Sequence, residues 1–322
     1  MDTLLTPLRT FKDQFGFAPV VINTEVLGDY TSIVVCGMGG SALSAGLLKL
    51  LFPGLPLTLH NTYGLPTSYD KDHTLFILNS YSGDTEEVLD TFERAKKEGL
   101  NLVAISRGGE LLSRIQQVGG AYVELPETTL QPRFALGHQL LAILAVLGEK
   151  EKAATLTSRA ALLDIAKAEE AGKDLAVRYA HTYPVIYATP NLYPIAYLIK
   201  AAINEGAKIP SFVSLIPEAN HNELQSFVTD DIINEKERFS FLLLSSTFDH
   251  LRTLKRFSVM ESLYKEKGFV VFTHSVNHTD IFSVLESILV GYFMATHMAI
   301  TKDIDPYTTP LIAEFKKRMT QQ

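Results

Sequence analysis

A single cysteine, Cys36, is the chain's entire complement. No internal disulfide can form, a reducing compartment is expected, and cysteine-based zinc patterns are excluded. No long run of lysine and arginine is present and the net charge is −7, which argues against a general nucleic-acid binder. The start, Met1-Asp2-Thr3-Leu4-Leu5, has an early acid and no basic residues ahead of an apolar core, so no secretory signal is read there. The longest apolar stretch, around Ile288 to Ile300, is interrupted by Gly291, Thr296 and His297 and reads as too short to span a bilayer. Low-complexity sequence is absent as well. The expectation is a cytoplasmic protein without membrane or nucleic-acid partners.

What is present is ordinary globular composition: 46% hydrophobic and 20% charged over 322 residues, enough for two domains. Strand candidates recur at Ser32–Cys36, Leu57–His60, Thr74–Leu78, Leu102–Ile105 and Tyr122–Leu125. Helical patterns at Ala42–Leu51, Thr85–Glu98 and Leu111–Val118 separate them. In the second of these, Val88, Leu89, Phe92 and Ala95 repeat at helical spacing while Glu86, Glu87, Glu93, Lys96 and Lys97 face outward. Strands alternating with helices predict a parallel sheet covered on both faces, with ligands at the loops that follow the strands. A long helical region from Ala135 to about Tyr179, weakly broken at Gly148 and Gly172, reads as a connector. A second alternation follows: strand Val185–Ala188, helix Pro194–Asn204, a segment at Phe212–Leu215, strand Phe239–Leu244, helix Leu251–Lys267 and strand Phe269–Thr273. An apolar helix, Phe282 to Ile300, and an amphipathic tail, Pro310–Met319, close the chain. The expected division is 1–150 and 151–322, two versions of one architecture.

Three loops of the first half carry anion chemistry. Gly37-Met38-Gly39-Gly40-Ser41 follows a buried strand and opens a helix, so its backbone N–H groups can approach an anion. It also fits a loose dinucleotide fingerprint, but such a site wants an acid at the end of the second strand. That strand ends in His60, with no carboxylate until Asp70, so the dinucleotide reading is set aside. Ser80-Tyr81-Ser82-Gly83-Asp84-Thr85 brings three hydroxyls and a glycine to the next helix start, a combination suited to a phosphate monoester. A serine-rich N-cap gives the same pattern, and the shared sheet edge favours phosphate. Ser106-Arg107-Gly108-Gly109 adds a hydroxyl and paired glycines. Gln131-Pro132-Arg133 sets an arginine ahead of an apolar helix, placed to hold phosphate or a developing oxyanion.

The second half supplies acid–base groups. Asn204-Glu205-Gly206-Ala207-Lys208 follows an apolar helix, and Pro217-Glu218-Ala219-Asn220-His221-Asn222-Glu223 is dense in proton carriers. A carboxylate and an imidazole on neighbouring loops suit acid–base work on a small polar substrate. No second histidine stands at ligand spacing from His221, so no metal is expected. By residue type alone, Glu205, Glu218 and Glu223 compete as the base.

Taken in order, these glycine, serine, Gln131-Pro132-Arg133 and Glu218–Glu223 segments, with Asp305-Pro306, Pro310 and Phe315-Lys316-Lys317 in the tail, resemble the bifunctional phosphoglucose/phosphomannose isomerase family along nearly the whole chain. The resemblance implies two sugar-isomerase (SIS) domains, each a flavodoxin-like parallel α-β-α sandwich. It implies an aldose–ketose isomerase converting glucose 6-phosphate and mannose 6-phosphate to fructose 6-phosphate without metal or nucleotide, in a homodimer whose histidine serves the partner's active site. By that likeness Glu205 shuttles the proton between C1 and C2, and His221 and Lys316 assist ring opening. Arg133 stabilises the enediolate, and Thr309 lies near C2. Gly39, Gly40, Ser41, Ser80, Ser82 and Thr85 hold the phosphate. Asp84 stands where the family commonly has Asn. Its carboxylate is expected either to cap the helix starting at Thr85 or to face the phosphate, with Arg107 compensating. A non-catalytic sugar-phosphate sensor is the alternative, but no basic recognition helix accompanies it. The isomerase half of an aminosugar synthase would want a glutaminase domain and an N-terminal cysteine.

Overall fold

The computed structural model describes residues 2–128 and 130–319. The chain forms two compact units. One comprises Thr10–Leu163 with His278–Leu285, here the N-unit; the other comprises Met1–Arg9, Asp164–Asn277 and Glu286–Gln322, here the C-unit. The first helix, α1 (Asp2–Arg9), therefore belongs with the later part of the chain.

The N-unit runs β1 (Ser32–Cys36), α2 (Gly39–Leu51), β2 (Leu57–His60), β3 (Thr74–Asn79), α3 (Glu86–Glu98), β4 (Asn101–Ser106), α4 (Gly109–Gln117) and β5 (Ala121–Glu124). The five strands form one parallel sheet in the order β2-β1-β3-β4-β5. β1 and β3 are apolar and buried along almost their whole length, as strands covered on both faces must be. Phe76, Leu78, Val88, Phe92, Ala104, Leu111 and Ile115 make the core between the sheet and helices α3 and α4. The alternation read from the sequence is the observed one, and most ends differ by only a few residues.

The segment from Ala135 to Tyr179 departs from expectation. It is three helices, α5 (Leu136–Val146), α6 (Lys150–Ala160) and α7 (Ile165–Tyr179), and not one connector. α5 is buried almost throughout and packs on α2 and β4, so it is core of the N-unit. Gly148, at φ +69°, does end a helix run. Gly172 does not: it lies inside α7, where a Cβ would stand 2.5 Å from Phe293 Cβ and 2.8 Å from Met294 N. That glycine serves close helix packing.

In the C-unit, β6 (Tyr183–Ala188), α8 (Tyr193–Ala202), β7 (Phe212–Leu215), the short α9 (Asp230–Asn234), β8 (Phe239–Ser246), α10 (Leu251–Glu266) and β9 (Val270–Val276) build a parallel sheet ordered β7-β6-β8-β9. That is the order of the first four strands of the N-unit sheet, so the two-version reading holds at the level of topology. Its core is aromatic: Phe241 stacks on Tyr264 at 4.2 Å between ring centroids, with Tyr187, Phe227 and Phe269 around them. α11 (Ile281–Thr301) is longer than the interrupted apolar stretch suggested, and by length and composition it is sufficient to cross a membrane. It is nevertheless largely buried within the protein, with Ile288, Leu289, Tyr292 and Phe293 fully enclosed. The amphipathic α12 (Pro310–Met319) is exposed along its described length.

Candidate functional site

At the carboxyl edge of the N-unit sheet, loops from three strands and the turn ahead of α5 converge. Gly37 is pressed so close to Asn79 that a Cβ would sit 2.8 Å from its carbonyl oxygen. A Cβ on Gly40 would meet Pro132 O and Arg133 Cα, each at 3.1 Å, so the glycine loop and the Arg133 turn touch backbone to backbone. Gly83, at φ +82°, admits no side chain at all: a Cβ would stand 1.9 Å from Gly108 O. The sequence brings Gly39-Gly40-Ser41, Ser80–Thr85 and Arg133 into one cradle because no side chain separates the loops.

Within the cradle the hydroxyls divide by task. Ser80 is buried, and its Oγ lies 2.8 Å from Thr85 Oγ1 and accepts from Gly83 N at 3.1 Å. Thr85 holds the N-cap position of α3 without capping it, its hydroxyl turned toward Ser80. Ser41 is buried with its Oγ near Tyr81 N, at 3.4 Å. Ser82 is half-buried and accepts from Asp84 N at 3.3 Å. The first turns of α2 and α3, both thirteen residues long, present N–H groups that their own helices leave unused. Partial positive charge at two helix starts therefore faces one cradle.

Arg133 is buried, its guanidinium carbon 4.7 Å from the Phe134 ring centroid. Its backbone is held on both sides by buried glutamines. Gln139 Nε2 donates to Pro132 O at 3.1 Å, and Gln14 Nε2 donates to Phe134 O at 2.8 Å. Asn79 completes the frame, its Nδ2 donating to Ser41 O at 2.9 Å and toward Gln139 Oε1 at 3.4 Å. Sequence reasoning missed Gln14 and Asn79, since their partners are backbone atoms far along the chain, and Gln139, whose acceptor Pro132 O is brought near by the turn ahead of α5.

Two expectations for this region need correction. The Asp84 carboxylate neither caps the helix it precedes nor waits for Arg107. It accepts from Glu110 N at 2.9 Å and so caps the neighbouring helix α4. Arg107 lies over the Tyr81 ring and donates to Thr128 O at 2.7 Å. Ser106, counted as a further phosphate hydroxyl, is buried and donates to Gly108 O at 2.8 Å within its own loop. The third loop supports the cradle and does not line it.

The C-unit carries the other cluster. α8 continues into a π-helical turn, Ile203–Ala207, that holds Glu205, and Lys208 at φ +57° ends it. Such single π turns recur at functional sites because they re-aim one side chain against the helical pattern. Glu205, Lys208, Ile209, Thr309, Leu311 and Ile312 line an open pocket of about 510 Å³. A pocket of that size suits a small ligand. The structure thus brings Glu205 and Thr309 together across a wide sequence gap. Glu223 instead faces the aromatic core and is a neighbour of the Tyr187 hydroxyl, whose pKa is raised by burial first and then by Tyr264 and Glu223. Glu218 is exposed and accepts from Asn222 Nδ2. Among the three competing carboxylates, Glu205 alone lines the pocket. His221, in an exposed 3-10 turn, and Lys316, on exposed α12, do not line it.

Burial pushes the Cys36 thiol up to about 12, so it stays protonated, and it lowers the His138 imidazole to about 4. Among the described residues no group of three or more His, Cys, Asp or Glu side chains is placed to hold a metal ion.

The chain is similar to known proteins in sequence and in fold. Residues 168–319 match the bacterial phospho-glucose isomerase C-terminal SIS domain. A bifunctional phosphoglucose/phosphomannose isomerase from Aquifex aeolicus is 30% identical over 274 residues, covering 84% of this chain and 83% of that one. The protein of the same name from Thermoplasma volcanium is 30% identical over 320 residues, covering 97% and 98%. Among solved structures, a hypothetical protein from Thermus thermophilus superposes with a TM-score of 0.69 at 15% identity, over 99% of this chain and 90% of that one, which supports the fold alone. With two relatives matched at that identity over most of their own lengths, the chain belongs to the bifunctional phosphoglucose/phosphomannose isomerase family.

Proposed function

We propose that the protein interconverts glucose 6-phosphate and mannose 6-phosphate with fructose 6-phosphate by moving one proton between C1 and C2 of the open-chain sugar. The observation that carries this is the pairing of Glu205 with Thr309 in one pocket, at a π turn that sets the carboxylate apart from the helix before it. The names of the relatives support the same activity.

A proton next to a carbonyl is weakly acidic, so the base must be positioned and the oxyanion stabilised. Glu205 removes the proton from one carbon and returns it to the other through a cis-enediolate, a general-base contribution of about 10²–10⁴ in rate. Arg133, buried and with a fixed backbone, carries the charge of the enediolate. Ser82, Thr85 and the N–H groups of Gly39 and Gly40 take the phosphate, while Ser80 and Ser41, whose N–H donates to Met38 O at 3.0 Å, shape the loops that do so. His221 and Lys316 open the sugar ring; both are exposed, and the resemblance alone gives them this role. The same likeness supports a homodimer and a cytoplasmic location.

The test is a coupled assay on glucose 6-phosphate and mannose 6-phosphate, with and without chelator. Wild type should turn over both, and Glu205→Gln should lose at least about 10²-fold in kcat. Undiminished turnover in Glu205→Gln removes Glu205 as the base. A wild type inert on both sugars overturns the isomerase reading.

A further inference from the structure

We propose that Lys208 is a positioning residue for the proton transfer: its ammonium ties the turn that carries Glu205 to the loop that delivers Thr309. The proposal rests on the isomerase reading above. Lys208 Nζ donates to the carbonyls of Glu205 and Gly206, the latter at 3.3 Å. It also donates to Asp305 O at 3.2 Å and Thr308 O at 2.6 Å, 97 and 100 residues further along the chain.

The two near carbonyls lie at the carboxyl end of α8 and its π turn, where helices leave acceptors unpaired and the macrodipole is negative. The two distant ones immediately precede and approach Thr309. The loop they belong to is folded on itself, with Tyr307 N donating to Asp305 Oδ1 at 2.8 Å. One compact cation therefore serves as the shared centre of two segments that nothing in local sequence relates. The left-handed backbone at Lys208, φ +57°, is uncommon for a residue with a side chain. Here it terminates the turn at the residue whose side chain binds it.

Chemistry separates holding from reacting. An ammonium has three protons and no acceptor, and four carbonyl oxygens surround this one. Its donor capacity is committed to backbone, so it fixes the distance between Glu205 and Thr309 and does not itself shuttle protons. Arginine's planar fork is built for two parallel acceptors and not for a converging set.

The test compares Lys208→Met and Lys208→Arg with wild type in kcat, in KM, and in the ratio of mannose 6-phosphate to glucose 6-phosphate formed from fructose 6-phosphate. Loss of position at the reacting carbons lowers kcat by about 10²-fold in Lys208→Met while KM moves by less than about threefold. The epimer ratio shifts as well, because Thr309 no longer keeps its place relative to Glu205; a general loss of folded protein would leave that ratio unchanged. Lys208→Arg keeps the charge and should show a smaller kcat loss with the same direction of ratio shift. If Lys208→Met does not fold, Lys208→Arg decides by the same two readouts. Unchanged kcat and ratio, in an enzyme that Glu205→Gln inactivates, overturn the role of Lys208 and leave the isomerase reading standing. Absence of turnover in wild type removes that reading first.

Discussion

Asp84 puts a formal charge in the loop proposed to take a phosphate, and the structure shows where that charge is used. Its carboxylate accepts from Glu110 N at the first turn of α4, where the helix dipole favours an anion. The loop bearing Thr85 and the start of the next helix are thereby pinned together. Thr309 is the other residue whose size matters. Accepting both C2 epimers requires room beside that carbon, and a threonine leaves more of it than a long amide. Thr309→Gln should lower turnover of mannose 6-phosphate and glucose 6-phosphate unequally, and the kcat/KM ratio of the two sugars checks it; an unmoved ratio removes Thr309 from epimer selection. At this scale the segments proposed for the site stand out in the sequence as glycine- or proline-marked loops, while residue type alone leaves Glu205, Glu218 and Glu223 as competing bases and only the family resemblance selects among them. Lys208, Asn79 and Gln14 were not legible, because each acts on backbone carbonyls supplied by segments distant in sequence.

Among elements, the strands and most helices were readable because period and punctuation agree. The region around α5–α7 was not. A glycine in a helical pattern reads as a break, and Gly148 is one, yet Gly172 is required by a crossing that the local pattern does not contain. Helix propensity and packing then oppose each other in Gly172→Ala. The substitution gains about 1 kcal/mol of intrinsic helix propensity. It also places a methyl against the backbone of Met294 and Val290, at 2.8 and 2.9 Å, and overpacking of that kind costs about 1–3 kcal/mol. The contact is with backbone, which cannot rotate aside, so the second effect wins. Gly172→Ala should lower the denaturant midpoint. A raised midpoint would show that the two helices separate freely. The buried character of α5 follows the same lesson: an apolar helix with little amphipathic contrast belongs in a core, and its neighbours α2 and β4 were not deducible from its own residues.

Across the whole molecule, parallel α/β organisation was legible twice over, and the two sheets share their strand order. The discontinuous make-up of the units was not, since it depends on α1 joining the later part of the chain and His278–Leu285 joining the earlier part. Acid stability is a property of this scale. His138 is buried edge-on to Phe17, and burial lowers its pKa from 6.5 to about 4. Between those values the unfolded chain binds a proton that the folded chain resists, so stability falls as pH drops from about 6.5 toward about 4 and then levels for this group. His274 and His297 are shifted in the same direction by burial. Glu169, held low chiefly by its hydrogen bond to Arg9, adds a loss at more acid pH as its carboxylate is protonated. Denaturant midpoints measured across this range should decline for wild type and decline less for His138→Phe; parallel curves would show that His138 takes up its proton without cost.

The Arg9–Glu169 pair bears on how the protein is made. Arg9 donates to both carboxylate oxygens of Glu169, at 2.8 and 2.7 Å, across 160 residues. During synthesis α1 must wait for a partner that leaves the ribosome only after the sheet of the N-unit has been completed. Until then its apolar residues Leu5 and Leu8, buried in the finished protein, are exposed to whatever the cell offers to cover them.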